Sequence, residues 1–144
     1  LTLLEILGLE NSTFDVGERI YIGKEGRTKV QSVLGKIDYT KISDSAQSEI
    51  PGVVESIIIK NEKRFVDYLN NAQSLTPRIH ALELIPGIGK TYMHIIIQER
   101  EKKPFESFSD IENRTKLKEP IKHISKRILE EISGETRMNL FVNR

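Results

Sequence analysis

The run Leu84-Ile85-Pro86-Gly87-Ile88-Gly89-Lys90-Thr91 sets two glycines one residue apart inside an otherwise helical apolar pattern. A chain interrupted in this way has to turn sharply there, because glycine relaxes the backbone exactly where its neighbours favour helix. Upstream, Thr76-Pro77 offers an N-cap and a first-turn proline, and Ile79, Leu82 and Ile85 follow at three-residue spacing. This predicts a short helix from about Pro77 to Ile85. Downstream, Tyr92, Met93, Ile96 and Ile97 mark the apolar face of a second helix, which runs until the charged stretch 99–103 meets Pro104. The spacing is that of a helix-hairpin-helix.

Such a turn suits an anion. Glycine accepts positive φ and lets the backbone approach a ligand, while the following helix begins with N–H groups that have no intrahelical partner. A phosphate fits that geometry, with Lys90 adding a cation beside the amides and Ile88 turning inward to pin the turn. The candidate nucleic-acid contacts of the turn are Gly87, Ile88, Gly89, Lys90 and Thr91, led by Gly87, Gly89 and Lys90. The competing reading is an ordinary αα-hairpin whose glycines only permit a tight crossing.

Charge is distributed unevenly behind a net value of +1. Residues 1–76 hold 9 Lys+Arg against 11 Asp+Glu, and residues 77–144 hold 13 against 10. Within the second half, Arg114, Lys116, Lys118, Lys122, Lys126 and Arg127 face only Glu119, a local balance of +5. Phosphate contacts need clustered cations rather than high global charge, so Arg114, Lys116, Lys118, Lys122 and Lys126 are the candidate backbone-binding stripe. A solvated lysine face would look the same.

The remaining helical signals are the Ser109-Asp110-Ile111-Glu112 capping box after Phe105 and Phe108, and Ile121, Ile124, Ile128 and Ile132 between Pro120 and Gly134. The connection Leu117-Lys118-Glu119-Pro120 carries no Gly-x-Gly, so a second hairpin there is degenerate and relies on lysines. The N-terminal third reads as strands at 3–7, 19–22 and 30–39, with Gly35 marking a bend. One or two helical turns over 43–49 follow, and Pro51 then opens a helix with Val54, Ile58, Phe65 and Leu69 on one face.

With 144 residues and 38% apolar content, the chain can bury one or two small cores. It has no cysteine, which excludes a disulfide framework and thiolate metal sites, and His80, His94 and His123 lack ligand spacing with carboxylates. We expect no metal, no cofactor, no membrane span and a cytoplasmic location. An enzyme would need more than the hairpin. Glycosylases of this motif type that use a lysine nucleophile carry it one position beyond Lys90, where this chain has Thr91, and Asp110 is explained by helix capping. No carboxylate cluster suits nuclease metal chemistry, so no catalytic constellation is expected.

Longer words carry a family resemblance. Arg78-Ile-His80-Ala-Leu82-Glu83-Leu84-Ile-Pro86-Gly-Ile-Gly89-Lys90, Pro104-Phe105-Glu106-Ser107-Phe108-Ser109-Asp110-Ile111 and Arg127-Ile128-Leu129-Glu130-Glu131-Ile132 resemble an archaeal family of small proteins with a domain-of-unknown-function label. Glu18-Arg19-Ile20-Tyr21-Ile22-Gly23-Lys24 and Asn61-Glu62-Lys63-Arg64-Phe65-Val66 extend the similarity over nearly the whole chain. The resemblance implies an α+β fold: a small OB-like β-barrel with a connecting helix over 1–72, then an all-α helix-hairpin-helix domain over 77–144. Further N-terminal sequence in that family would supply a barrel strand, which fits a chain that starts at Leu1 rather than Met. It implies a nucleic-acid partner, RNA ahead of DNA, and brings no established activity. On the expected barrel, Tyr21, Tyr39, Lys24, Arg27 and Lys29 are weak single-strand candidates. A DNA-binding accessory or repair factor and a protein-interaction adaptor are the alternatives.

Overall fold

A computed structural model of the protein describes residues 1–142. Contacts within the chain divide it into two units, Leu1–Val53 with the residues from Glu131 onward, and Val54–Glu130.

In the first unit, β1 (Leu4–Gly8) pairs antiparallel with β2 (Val30–Lys36), Leu4 opposite Lys36 and Gly8 opposite Val30. Glu5 faces Gly35 and Ile6 faces Val33, so Leu34 is the extra residue of a bulge. Gly35 sits beside it at φ +125°, where the sequence marks a bend. A 3-10 turn (Tyr39–Lys41) follows β2. Near the C-terminus, the buried Glu131 carboxylate accepts N–H groups from Leu140, Phe141 and Val142 at 2.8, 2.9 and 2.9 Å.

The expected OB-like barrel is overturned. Among the described residues there is a single two-stranded sheet, and closing a barrel needs a continuous ladder that two strands cannot supply. Residues 19–22, read as a strand, are irregular. The Arg27 guanidinium donates to the carbonyls of Gly23 (2.9 Å), Ile22 (3.2 Å) and Gln31 (3.0 Å). Lys29 donates to the Thr13 carbonyl and pairs with Glu18 at 2.7 Å. The Ile22 carbonyl thus meets the Arg27 side chain, not a neighbouring strand.

The chain is mostly helical, α+β only in a broad sense, with five α-helices among the described residues. These are α1 (Asp44–Lys60), α2 (Glu62–Asn71), α3 (Gly89–Lys102), α4 (Phe108–Thr115) and α5 (Pro120–Ile132). Pro51 lies inside α1 instead of opening a helix. The break comes at Asn61 (φ −120°, ψ 37°), whose side-chain amide donates to the Ile57 carbonyl at 2.8 Å and competes with the helix ladder.

The core of the second unit takes Ile58, Phe65, Leu69, Leu82, Ile85, Ile96, Ile111, Ile124 and Ile128, each fully buried. Every such side chain removed from water contributes about 1.5–3 kcal/mol, and the α5 isoleucines supply their share through the spacing seen in the sequence.

The helix expected over 77–85 is also overturned, and with it a strict helix-hairpin-helix: a 3-10 turn (Ala81–Leu84) stands there. The Thr76 hydroxyl accepts from Arg78 and Ile79 N–H at 3.2 and 3.0 Å, and the Ile79 carbonyl accepts from Leu75 and Thr76. The chain doubles back on itself, Ser74 bridging to His80, before a helix can start. The capping residue of α4 is Ser107, accepting from Asp110 N–H at 3.0 Å, two positions ahead of the expected Ser109. No described helix is long and apolar enough to cross a membrane.

Candidate nucleic-acid interface

The turn from Pro86 to Lys90 is built by two features of opposite kind. Ile88 is buried and anchors it, while Gly87 and Gly89 are exposed at φ +86° and +56°. The Ile88 N–H donates to the Ile85 carbonyl at 3.1 Å, which draws the turn closed. α3 starts immediately, and no side chain caps its N-terminus. Its first amides carry the partial positive charge of the helix end without an internal acceptor. Lys90 and Thr91 stand exposed on that first turn.

A shallow groove of about 490 Å³ opens beside these amides, lined by Arg78, Ile79, Glu83, Leu84, Gly89 and Lys90. The Glu83 carboxylate is engaged there, accepting the His80 N–H at 3.1 Å, and His80 Nδ1 accepts the Leu82 N–H at 3.0 Å. Burial, then the charge of Arg100, holds the His80 pKa below its ordinary 6.5. The neutral ring is the form that can accept.

The stripe residues fall into two groups. Lys116, Lys118 and Lys126 are exposed and make no ion pair among the described residues. Arg114 and Lys122 are engaged. Arg114 donates to the carbonyls of Glu99 and Lys103, pairs with Asp110 at 3.1 Å and lies 4.6 Å from the centre of the Phe105 ring. It ties the C-terminal end of α3 to α4, and its guanidinium faces inward. Lys122 pairs with Glu55 at 2.8 Å, and that hydrogen bond raises its pKa.

α5 carries the stripe to the turn. His123 Nδ1 lies 2.9 Å from the Pro86 carbonyl oxygen, and Arg127 donates to the Leu84 carbonyl at 3.2 Å. His123 Nε2 lies 3.1 Å from the Lys118 carbonyl oxygen, which sets the 116–119 connection next to the same ring. Lys126, three positions past His123, flanks the α5 face that meets the turn. The structure thus sets the α5 residues His123 and Arg127, and through the His123 ring the Lys118 backbone, against the turn that holds Gly87, Ile88, Gly89, Lys90 and Thr91, and engages Arg114 internally.

A sequence profile described as a protein of unknown function (DUF655) matches residues 1–143. The chain belongs to this family. Within it, an uncharacterised protein of Methanocaldococcus jannaschii, MJ0038, is 42% identical over 135 residues. That match covers 94% of this chain and 62% of the relative, so the chain spans less than two thirds of its length. The crystal structure of Af1531 from Archaeoglobus fulgidus, also assigned to DUF655, superposes with a TM-score of 0.88 at 43% identity, covering 97% of this chain and 79% of that one.

Two residues of this candidate surface carry no sequence signal that points to it. The Thr76-Pro77 signal puts Arg78 in a helix, whereas the Thr76 turn brings it to the groove it lines with Gly89. His123 lies 37 residues from Pro86, and nothing in a stripe read for lysines points to a ring packing on the turn.

Proposed function

We propose that this protein is a non-catalytic nucleic-acid-binding protein that grips phosphate through the Pro86–Lys90 turn, RNA ahead of DNA. The observation that carries the reading is the uncapped start of α3, which follows two exposed positive-φ glycines and shares a groove with Arg78 and Lys90. Amides at a helix start with a cation at each side suit a phosphate oxygen. Lys116, Lys118 and Lys126 extend the cationic surface along the chain from the turn, with Lys122 available only by exchanging Glu55 for phosphate. The preference for RNA comes from the family resemblance, since phosphate contacts carry no base or sugar information.

Fluorescence anisotropy of single- and double-stranded RNA and DNA over a range of salt tests this, with Gly89→Val and Lys90→Ala alongside. A Cβ at Gly89 meets nothing within 4 Å, but φ +56° strains a β-branched side chain, so circular dichroism checks that the valine variant stays folded, and Lys90→Ala tests the turn without that strain. Binding that weakens with salt and in both variants is the expected result. Preference for duplex DNA would recast the protein as a DNA accessory factor. Equal affinity in Gly89→Val would sink the turn as a clamp, and absence of binding to all four would favour a protein-docking adaptor.

A further inference from the structure

The phosphate reading uses amides and lysines and leaves His123 without a role. Its ring is nevertheless the packing partner of the turn: a Cβ built on Gly87 would collide with it. Nδ1 faces the Pro86 carbonyl at 2.9 Å and Nε2 faces the Lys118 carbonyl at 3.1 Å. Both partners only accept hydrogen bonds. A neutral imidazole has a single N–H and satisfies one carbonyl, whereas the doubly protonated ring donates to both.

We infer that His123 is the positioning residue of the phosphate turn and that its imidazolium form organises the turn for binding. This rests on the phosphate reading. With both N–H groups in place, the ring ties the Pro86 carbonyl to the Lys118 carbonyl and holds Gly87 at its positive φ. It also adds a positive charge beside the Gly87 backbone. Around the ring and its two carbonyl partners, the charged groups are Glu83 and Lys90 flanking the turn, Lys116, Lys118 and Glu119 in the connection, and Lys122, Lys126 and Arg127 within one turn of His123 on α5. Lys122 is engaged by Glu55, and Arg127 by the Leu84 carbonyl. A phosphate arriving at the turn brings negative charge towards the ring. Anion binding and proton uptake at His123 therefore favour each other, as linkage requires.

The test titrates a fluorescein-labelled single-stranded RNA, and separately a single-stranded DNA of the same length, into the whole chain between about pH 6 and about pH 8. Affinity rises about tenfold as pH falls in the wild type and stays flat in His123→Gln. Calorimetry of the wild type in two buffers of different ionisation enthalpy reads the proton uptake directly, and His123→Asn locates it if the glutamine variant does not fold. Binding with a flat pH profile and no proton uptake overturns the inference and leaves the phosphate reading standing. A pH profile that persists in His123→Gln also overturns it and assigns the proton to His80 or His94. Failure of both strands to bind at any pH overturns the inference together with the reading beneath it.

Discussion

Gly87 and Gly89 share a turn and a positive φ, yet the surroundings of their missing side chains are opposite. A methyl at Gly87 runs into the His123 ring, while a methyl at Gly89 points into open space. Gly87→Ala is therefore expected to cost about 2–4 kcal/mol, from backbone strain and a displaced ring together. Gly89→Ala costs about 1 kcal/mol, the left-handed strain alone. Urea unfolding of both variants checks this, and equal costs would mean that the ring moves aside freely. A second residue holds its region by acceptance. Glu131 is 2% exposed and its carboxylate receives three backbone N–H groups of the C-terminal stretch. Replacement by glutamine sets an amide N–H against donors, so Glu131→Gln is expected to lower stability by about 2–3 kcal/mol in the same assay.

The elements whose reason lies in local periodicity were legible. α3 ends before Pro104 and α5 buries Ile124 and Ile128, as their three- and four-residue spacing predicts. Elements decided by a side chain's choice of backbone partner were not. Thr76 caps a turn where an N-cap of a helix was read, Asn61 breaks a helix that looks continuous, and Arg27 occupies the carbonyls of a segment that alternates like a strand. The connection after α4 makes the same point. Lys116 and Glu119 adopt φ +66° and +52° with no glycine to announce it. The 3-10 turn before the candidate site has its own pH signature. His80 accepts the Leu82 N–H, and its pKa is lowered by burial and by Arg100. The unfolded chain binds that proton more readily than the folded one. The contribution is thus complete above the unfolded value of 6.5 and is lost as pH falls through the lowered folded value. Melting temperature should fall with pH in this range, and less so in His80→Asn, since asparagine caps without titrating there. An unchanged slope in the variant would place the pH dependence elsewhere.

At the scale of the molecule, a net charge of +1 gives almost no general attraction for a polyanion, so affinity must come from cations that are both exposed and uncommitted. Ion pairing divides the basic residues of the turn and the stripe accordingly. Arg78, Lys90, Lys116, Lys118 and Lys126 are exposed, whereas Arg114 is bound into the α3–α4 contact and Lys122 is held by Glu55. If the five exposed cations each meet a phosphate, the logarithm of affinity for single-stranded RNA should fall against the logarithm of salt with a slope of about −3.5. Lys126→Ala should make that slope shallower by about 0.7 without changing stability. Arg114→Lys should do the reverse. It loses the fork that spans two carbonyls and Asp110, and is expected to cost about 1–2 kcal/mol of stability while the salt slope stays where it was. The same slope loss in both variants would mean that Arg114 leaves its internal partners when nucleic acid arrives, and that the stripe acts as one charged face.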